Sequence, residues 1–255
     1  MSEITKIALV NYLNSKPFLY GLKHFKQKNK FDIITTNPAN CAELFKTKQV
    51  DISLIPVGAL GDLDSEYRII SDFGISCDGE VRTVCIFSND EIKDCQKIYL
   101  DDHSRTSFLL TKILANQYFK ISPDFVKSDV DNINLAKNEA VLMIGDKVFK
   151  NESLYKYKYD LGILWKKWTG LPFVFAVWVA QKEVSIENES KLNLIFKSGL
   201  ENIEKIIQKE SSEDLDLYYY FSHNIQYKLD DLKMKGMHHF LEKVKSLLSV
   251  QLLQS

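Results

Sequence analysis

The stretch IALVNYLNSKP, residues 7–17, contains the pattern that decides the fold. Its apolar beginning, residues 7–10, is typical of a short buried strand. The polar residues that follow would place Asn14 or Ser15 as the cap of a helix that begins near Phe18. A buried strand that leads through a short polar turn into a helix is the repeating unit of an α/β protein.

The same alternation continues along the first two-thirds of the chain. Further strands are predicted at residues 31–35, 52–56, 81–87, 97–100, 140–144 and 173–180, and helices at residues 18–28, 41–47 and 108–115. Strands that alternate with helices favour parallel α/β sheets. From about Glu187 to Ser255, apolar residues recur at helical spacing, which predicts a C-terminal helical segment.

We interpret this order as an α/β, two-lobed clamshell with a C-terminal helical segment. The chain would cross between lobes near residues 84–88 and 173–180. Lobe 1 would then comprise residues 1–86 plus 176–255, and lobe 2 residues 87–175. Small ligands of such folds bind at strand carboxyl ends and helix N-termini, so we expect ligand binding in the interlobe cleft.

Composition and charge exclude several classes of protein. The 255 residues carry a formal net charge of -1, with 45% hydrophobic and 26% charged residues. These values are typical of a soluble globular protein and predict no binding to nucleic acid or to an anionic membrane. No apolar run approaches the ~18 residues that span a bilayer, and the N-terminus does not resemble a secretory signal. We therefore expect a cytoplasmic protein with reduced thiols.

The potential metal ligands are not arranged as a metal site. The four cysteines form no C-x-x-C pair and have no nearby His-x-x-x-His partner, so a structural zinc site is not predicted. His238 and His239 are adjacent in a helical region, where their rings diverge. The G-x-G-x-x-G and P-loop patterns are absent from the sequence. We expect no metal.

The turn formed by residues 104–107, here called the serine turn, follows a predicted strand and opens an apolar helix. It consists of Ser104, Arg105, Thr106 and Ser107. Free backbone N–H groups, hydroxyl groups and the positive end of the helix dipole converge there, which suits a carboxylate or a phosphate. The same residue types also fit an ordinary capped helix start with Arg105 in solvent, and both interpretations stay open here.

Two further turns carry the same pair of interpretations. Asn14 and Ser15 follow the first strand, where they either donate to a polar ligand or only cap and turn the chain. Gly145 and Asp146, here called the glycine turn, follow a buried strand. There the backbone either approaches a ligand, with Asp146 binding hydroxyl groups, or forms a tight turn. Strand-to-helix turns from both lobes facing one cleft would favour the functional interpretation.

Seven short blocks of the chain occur in the order of a known family. They are residues 10–17 (VNYLNSKP), 51–57 (DISLIPV), 79–84 (GEVRTV), 104–107 (SRTS), 144–146 (IGD), 159–162 (YDLG) and 169–178 (TGLPFVFAVW). Together they resemble the chorismate dehydratases of the futalosine route to menaquinone. Each block alone is short, and the specificity lies in their combination; the helical tail adds little.

The resemblance implies a type II periplasmic-binding-protein-like fold whose cleft is an active site. It also implies a carbon–oxygen lyase, a hydro-lyase that converts chorismate to 3-[(1-carboxyvinyl)oxy]benzoate and water. Asn14 matches the family's active-site asparagine, and the serine turn matches its substrate-carboxylate loop. Thr83 stands where serine is expected and keeps the hydroxyl group. Further substrate contacts are expected from Ser15, Pro56, Thr83, Arg105, Gly145 and Asp146, with Lys16 and Arg82 left open.

The chemistry of chorismate explains these residue types. Chorismate is a dianion, so a receptor of N–H, hydroxyl and amide donors with one arginine suits it. None of the blocks contains an obvious unpaired Glu or His placed as a base. We therefore expect an E1cB-like, substrate-assisted elimination, in which the enolpyruvyl carboxylate takes the C3 proton and Asn14 orients that carboxylate or the leaving hydroxyl. Such an elimination needs no metal or organic cofactor.

Two other functions fit parts of the pattern. The sibling enzyme that forms 1,4-dihydroxy-6-naphthoate shares the fold, but the combined Asn-Tyr-Leu-Asn and Ser-Arg-Thr-Ser blocks favour the dehydratase. A non-catalytic small-anion-binding protein would also share the fold, and the absence of a signal peptide counts against it. The sequence is compatible with a monomer or a homodimer.

Overall fold

The computed structural model describes residues 4–25, 31–63, 67–101, 104–128, 130, 133–210 and 216–252. The chain divides into two compact units. Unit 1 comprises Met1–Ile75 and Phe175–Asp230, and unit 2 comprises Ser76–Val174 and Asp231–Ser255. One mixed sheet has six strands and the other has five. The α/β, two-lobed fold with a C-terminal helix is thereby confirmed.

The elements follow one another in the order that the alternation predicts, with additions. The strands are β1 (Thr5–Val10), β2 (Phe31–Thr36), β3 (Ile52–Pro56), β4 (Tyr67–Cys77), β5 (Val84–Ser88), β6 (Lys97–Asp101), β7 (Asp124–Ser128), β8 (Glu139–Ile144), β9 (Tyr157–Asp160), β10 (Phe173–Gln181) and β11 (Gln226–Lys228). The helices are α1 (Lys16–Phe25), α2 (Pro38–Lys46), α3 (Arg105–Ile113), α4 (Lys147–Asn151), α5 (Leu161–Thr169), α6 (Ile186–Leu200), α7 (Ile203–Ile207), α8 (Leu217–Tyr219) and α9 (Asp231–Leu252).

The six-stranded sheet has the order β11-β4-β10-β3-β1-β2. In its centre β1 pairs in parallel with both β2 and β3, while β10 runs antiparallel to β3, with Ala176 opposite Pro56. The carboxyl ends of parallel strands meet at one edge of a sheet. The turn after β1 and the end of β3 at Pro56 therefore lie at the same edge.

The five-stranded sheet has the order β7-β6-β8-β5-β9. Strand β6 pairs in parallel with β7 and β8, whereas β5 runs antiparallel to β8 and β9. Because of these directions, the carboxyl ends of β6, β8 and β9 and the beginning of β5 share one edge. We call it the site edge of unit 2, since the serine turn follows β6 and the glycine turn follows β8.

Aromatic side chains form the core of unit 1. The Phe18 ring on α1 packs against Trp178 of β10 and Phe196 of α6, with ring centroids 5.5 and 4.8 Å away, and all three side chains are fully buried. Helices α1 and α6 approach so closely that a Cβ atom at Gly199 would overlap the backbone carbonyl of Pro17. Glycine is required there by space and not by backbone angles.

The last helix packs on the core of unit 2. Phe240 of α9 lies edge-on to Trp165 and Phe173, with ring centroids 6.2 and 5.0 Å apart. Trp165 is fully buried and donates its indole N–H to the carbonyl of Pro172. Trp165 and Trp178 are thus core residues, while Trp168 is half-buried beneath the Lys243 ammonium group.

The unit boundaries differ from the lobes that we expected. The first boundary falls within β4, between Ile75 and Ser76, and not near residue 86, because β5 pairs with β8 and β9 in the five-stranded sheet. The second falls within β10, between Val174 and Phe175, close to the expected position. Helix α9 belongs to unit 2 and not to lobe 1, because its apolar face covers Trp165.

Several local predictions were wrong in informative ways. Residues 81–83 are not part of a strand: β5 begins at Val84, because the backbone N–H groups of Val81 and Arg82 donate to the Asp160 side chain. Helix α2 begins at Pro38, since Asn37 caps it. Strands β4, β7, β9 and β11 were not predicted, and β11 interrupts the expected helical tail.

Helix α1 begins earlier than expected, at Lys16. A short 3-10 helix, Leu13–Ser15, leads directly into it. The Ser15 hydroxyl group bonds to the neighbouring Asn14 amide instead of capping the helix. The expected end of this helix near residue 28 lies outside the described residues.

Among helices formed by the described residues, none combines the length and apolar character that a membrane span requires. The four cysteines, Cys41, Cys77, Cys85 and Cys95, are free thiols and all are buried. Burial raises the pKa of the Cys41 thiol to about 12, so this group stays protonated at neutral pH.

The close approach of α1 and α6 gives a direct test of unit 1. Gly199→Ala should lower the free energy of unfolding by about 1–3 kcal/mol, because the added methyl group forces two backbones apart. Urea denaturation measures this loss. Gly61→Ala is the matched control, since a Cβ at Gly61 meets no described atom within 4 Å. Equal stability of the two variants would contradict the packing described here.

Candidate functional site

The turn after β1 brings Asn14 and Ser15 to the strand ends of unit 1. Ser15 is buried, and its hydroxyl group donates to the Oδ1 atom of half-buried Asn14 at 3.2 Å. The contacts described for Asn14 engage Oδ1 and the backbone carbonyl, and the Nδ2 donors are not used in them. Asn14 can therefore present an amide N–H group to a polar ligand.

A tyrosine that the sequence did not reveal holds this turn in place. The Tyr227 hydroxyl group donates to the backbone carbonyl of Asn14 at 2.9 Å, although the two residues lie 213 positions apart. Burial raises the pKa of the Tyr227 phenol well above its ordinary value, so the group stays protonated and remains a donor. No local pattern marks Tyr227, because its role depends on the position of β11 as an edge strand of the six-stranded sheet.

Pro56 and Lys16 take different places around the same turn. Pro56 is the last residue of β3 and is buried, so it closes the edge without offering a hydrogen-bond donor. Lys16, which the sequence left open, forms an ion pair with Glu210 at 2.8 Å. Its ammonium group is therefore already committed to a neighbouring carboxylate.

The serine turn opens α3 as the strand-to-helix pattern predicts. The Ser104 side chain is the N-cap, accepting a hydrogen bond from the backbone N–H of Ser107 at 3.3 Å, and the two hydroxyl groups lie 3.0 Å apart. Ser104, Thr106 and Ser107 are all buried. Several hydroxyl groups thus converge with the first N–H groups of a nine-residue helix, an arrangement that suits an anion.

Arg105 adds positive charge beside the serine turn. The residue is half-buried, which differs from the alternative in which it points fully into solvent. The pKa of Lys112 on the same helix is lowered, first by burial and then by the positive charge of Arg105 and of Lys127. An anion bound near the serine turn would therefore meet a positive field.

Thr83 and Gly145 meet at the site edge of unit 2. The backbone N–H of Gly145 donates to the Thr83 carbonyl at 2.8 Å, and the pair Val84 and Ile144 begins the ladder between β5 and β8. Gly145 has φ +71°, a conformation that glycine adopts without strain, and Asp146 follows as the residue before α4. The structure therefore joins Thr83 to the glycine turn.

Asp160 is the residue of this edge whose role sequence reasoning missed. Its carboxylate accepts hydrogen bonds from three backbone N–H groups, those of Val81 and Arg82 before β5 and that of Ile163 in α5. Burial raises the pKa of the Asp160 carboxyl, and the three N–H groups oppose that effect. An Asp directly before an apolar helical run is a helix-cap signal that could have revealed it.

Arg82, which the sequence also left open, contacts residues of α4 and its end. It adopts φ +63°, and its guanidinium group contacts the Glu152 carboxylate at 3.4 Å and lies 5.6 Å above the Phe149 ring. These contacts assign Arg82 to the packing around α4. Among the residues that the structure describes, no group of three or more His, Cys, Asp or Glu side chains is placed to hold a metal ion.

The predicted site residues thus fall into two groups. The group at the site edge of unit 2 consists of Thr83, Ser104, Arg105, Thr106, Ser107, Gly145 and Asp146. The group at the strand ends of unit 1 consists of Asn14, Ser15 and Pro56. Both groups consist mainly of neutral donors. Such sites bind anions mainly through hydrogen bonds, and here Arg105 adds one positive charge.

The raised pKa of Asp160 predicts a pH dependence. Above about pH 4, the usual pKa of aspartate, the native state holds this proton while the unfolded state loses it, so the contribution of Asp160 to stability falls as pH rises through the native pKa. The side chain introduced by Asp160→Asn cannot ionise, so the free energy of unfolding of this variant lacks this contribution to its pH dependence. Urea denaturation of both proteins between pH 4 and pH 7 should therefore show the wild type losing stability relative to the variant. A relative gain with rising pH would contradict the assignment.

Comparison with known proteins identifies relatives of the whole chain. A chorismate dehydratase from Thermus thermophilus is 24% identical over 259 residues, covering 92% of this chain and 93% of the relative. Among solved structures, protein AF1704 from Archaeoglobus fulgidus superimposes with a TM-score of 0.74 at 14% identity, covering 96% of this chain and 98% of that one. The periplasmic aliphatic sulphonate binding protein SsuA from Escherichia coli gives 0.63 at 10% identity, covering 100% and 95%.

The structural matches show the fold, which is that of periplasmic binding proteins. A family model described as menaquinone biosynthesis (VitK2_biosynth) matches residues 5–246. Since this match includes both sheets and most of α9, the chain belongs to the menaquinone biosynthesis family.

Proposed function

We propose that this protein is a hydro-lyase that converts chorismate to 3-[(1-carboxyvinyl)oxy]benzoate and water in the futalosine route to menaquinone. The observation that carries the proposal is the similarity along 92% of the chain to a protein named chorismate dehydratase. The turns at the strand ends supply the neutral donors that a dianionic substrate requires. The substrate is a small molecule, and the reaction needs neither a metal nor an organic cofactor.

The serine turn is proposed to bind the ring carboxylate. Its buried hydroxyl groups and the N–H groups at the start of α3 can donate several hydrogen bonds to one carboxylate. Negative charge moves onto this carboxylate when the C3 proton leaves. Donors fixed by the fold in a buried place stabilise such developing charge more than mobile water does. Thr83, Arg105, Gly145 and Asp146 would complete the contacts on unit 2.

Asn14 is proposed to act on the other end of the substrate. Its amide would orient the enolpyruvyl carboxylate or the leaving hydroxyl group, with Ser15 and Pro56 shaping the surroundings. Since Ser15 and Tyr227 fix the Asn14 amide and carbonyl, the group is held in place before substrate arrives. A preorganised donor lowers the barrier because it needs no reorientation during the reaction.

The elimination balances within the substrate itself. The enolpyruvyl carboxylate takes the proton from C3, and the electron pair of the C3–H bond moves toward the ring carboxylate. The C4–O bond then breaks, and the departing hydroxide takes up the proton held by the enolpyruvyl carboxyl group to form water. The ring becomes aromatic without any change in net oxidation state.

Incubation with chorismate tests the reaction directly. The purified protein, kept in a buffer with chelator, should form a product lighter by one water with an aromatic ultraviolet spectrum, as measured by liquid chromatography and mass spectrometry. Chorismate that stays intact while raising the melting temperature would identify a small-anion-binding protein, the function of structural neighbours such as SsuA. If chorismate is neither converted nor raises the melting temperature, the next substrate to test is that of the sibling enzyme that forms 1,4-dihydroxy-6-naphthoate.

A variant of Asn14 separates catalysis from binding. Asn14→Ala should lower kcat by about 10–1000-fold while changing the affinity for chorismate far less, because the lost donor acts mainly on the transition state. Asn40→Ala, which removes an exposed asparagine from α2 of the same unit, is the control and should keep full activity. Equal losses in turnover and binding for Asn14→Ala would refute the assigned role.

The substrate-assisted mechanism predicts a flat pH profile. A carboxylate such as the enolpyruvyl group titrates near pH 3–4, so kcat should stay constant from about pH 6 to pH 9. Steady-state turnover across this range measures the profile. An inflection near the usual histidine pKa of about 6.5 would instead indicate a base supplied by the protein.

A further inference from the structure

One buried ion pair joins the serine turn to the glycine turn. Asp101 is the last residue of β6, three positions before Ser104, and Lys147 is the first residue of α4, directly after Asp146. The Lys147 Nζ atom lies 2.5 Å from Asp101 Oδ2. The pair therefore connects the end of β6 to the start of α4, which follows the neighbouring parallel strand β8.

Burial distinguishes this pair from the other ion pairs described in the structure. The Asp101 side chain is 1% exposed and that of Lys147 is 23% exposed, whereas the remaining described ion-pair carboxylates are at least 13% exposed. A charge held away from water depends on its partner far more than a surface charge does. Removing either partner should therefore disturb the surrounding backbone.

A second link extends the connection to Thr83. The Gly145 N–H group donates to the Thr83 carbonyl, and Lys147 lies two positions after Gly145. Thr83, the glycine turn and the end of β6 are thus joined in series through one hydrogen bond and one ion pair. These two contacts add to the ladders that β8 forms with β5 and β6 at the site edge of unit 2.

We infer that Asp101 and Lys147 are a positioning pair that fixes the serine turn for binding the substrate carboxylate. The inference rests on the proposed function for the identity of the substrate, whereas the geometry of the pair does not depend on that proposal. The two residues act through the serine turn and the glycine turn. Because the serine turn is proposed to stabilise charge that develops on this carboxylate, their loss should lower kcat as well as raise KM, and kcat/KM measures the two effects together.

The test compares Asp101→Asn, Lys147→Met and the double variant with the wild type. Each single variant should lower kcat/KM for chorismate by about 10–100-fold, the cost of displacing a binding group by roughly 1 Å. The double variant should lose no more than the worse single variant, because each charge acts through the other. Lys147→Arg, which keeps the charge, should recover most of the activity.

A matched control lies at the other end of the same two strands. Lys97 begins β6 and pairs with Glu139 of β8 at 2.8 Å, about 13 Å along the strand from Asp101. Lys97→Met makes the same chemical change in a partly exposed pair. It should leave kcat/KM within about twofold of the wild type, since exposed pairs contribute little.

Amide hydrogen exchange supplies a readout that does not depend on turnover. Without substrate, the amides of residues 105–107 should exchange about tenfold faster in Asp101→Asn and Lys147→Met than in the wild type. In Lys97→Met, the exchange rates of these amides should equal those of the wild type. Wild-type exchange in both variants, or penalties on kcat/KM that multiply in the double variant, would overturn the inference. A wild type that does not turn over chorismate would refute the proposed function, and the exchange data would still decide the role of the pair.

Discussion

The buried carboxylate of Asp160 is the interaction on which the site edge of unit 2 depends. It accepts hydrogen bonds from the backbone N–H groups of Val81 and Arg82 and, at 3.0 Å, from that of Ile163. These bonds hold the segment before β5 as a turn and fix the start of α5. Because Thr83 follows this turn, its carbonyl is placed to accept from Gly145. Burying a carboxylate without these hydrogen-bond donors would cost free energy. The buried Asp160 side chain therefore requires the turn before β5 and the start of α5 to be held next to it.

Both sets of site residues follow one physical rule. Each unit presents turns at the carboxyl ends of parallel strands, where backbone N–H groups and short polar side chains are available to a ligand. The donors are mostly neutral, which suits a substrate whose negative charge must move during the reaction. A full ion pair would hold that charge in the ground state, whereas fixed dipoles can follow it to the transition state. The same fold occurs in periplasmic binding proteins, so the fold alone does not define the proposed chemistry, which we assign to these turns.

Much of this arrangement follows from local sequence. Strand β3 has the predicted bounds, β6 and β8 are within one residue of them, and Ser104 caps α3 as its hydroxyl group and position predict. The exceptions have long-range causes. Residues 81–83 carry a strand pattern, but Asp160, almost 80 positions away, draws their N–H groups from a ladder. Tyr227 and the Asp101–Lys147 pair likewise depend on strand order, which hydropathy does not encode.

The central claim is that neutral donors of the serine turn bind the substrate's ring carboxylate, without a protein base or a metal at that position. A crystal structure with the reaction product, 3-[(1-carboxyvinyl)oxy]benzoate, tests it most directly. The account predicts the ring carboxylate within hydrogen-bond distance of the Ser104, Thr106 or Ser107 hydroxyl groups and of the N–H groups that open α3. A product carboxylate bound elsewhere, with the serine turn uncontacted, would contradict it.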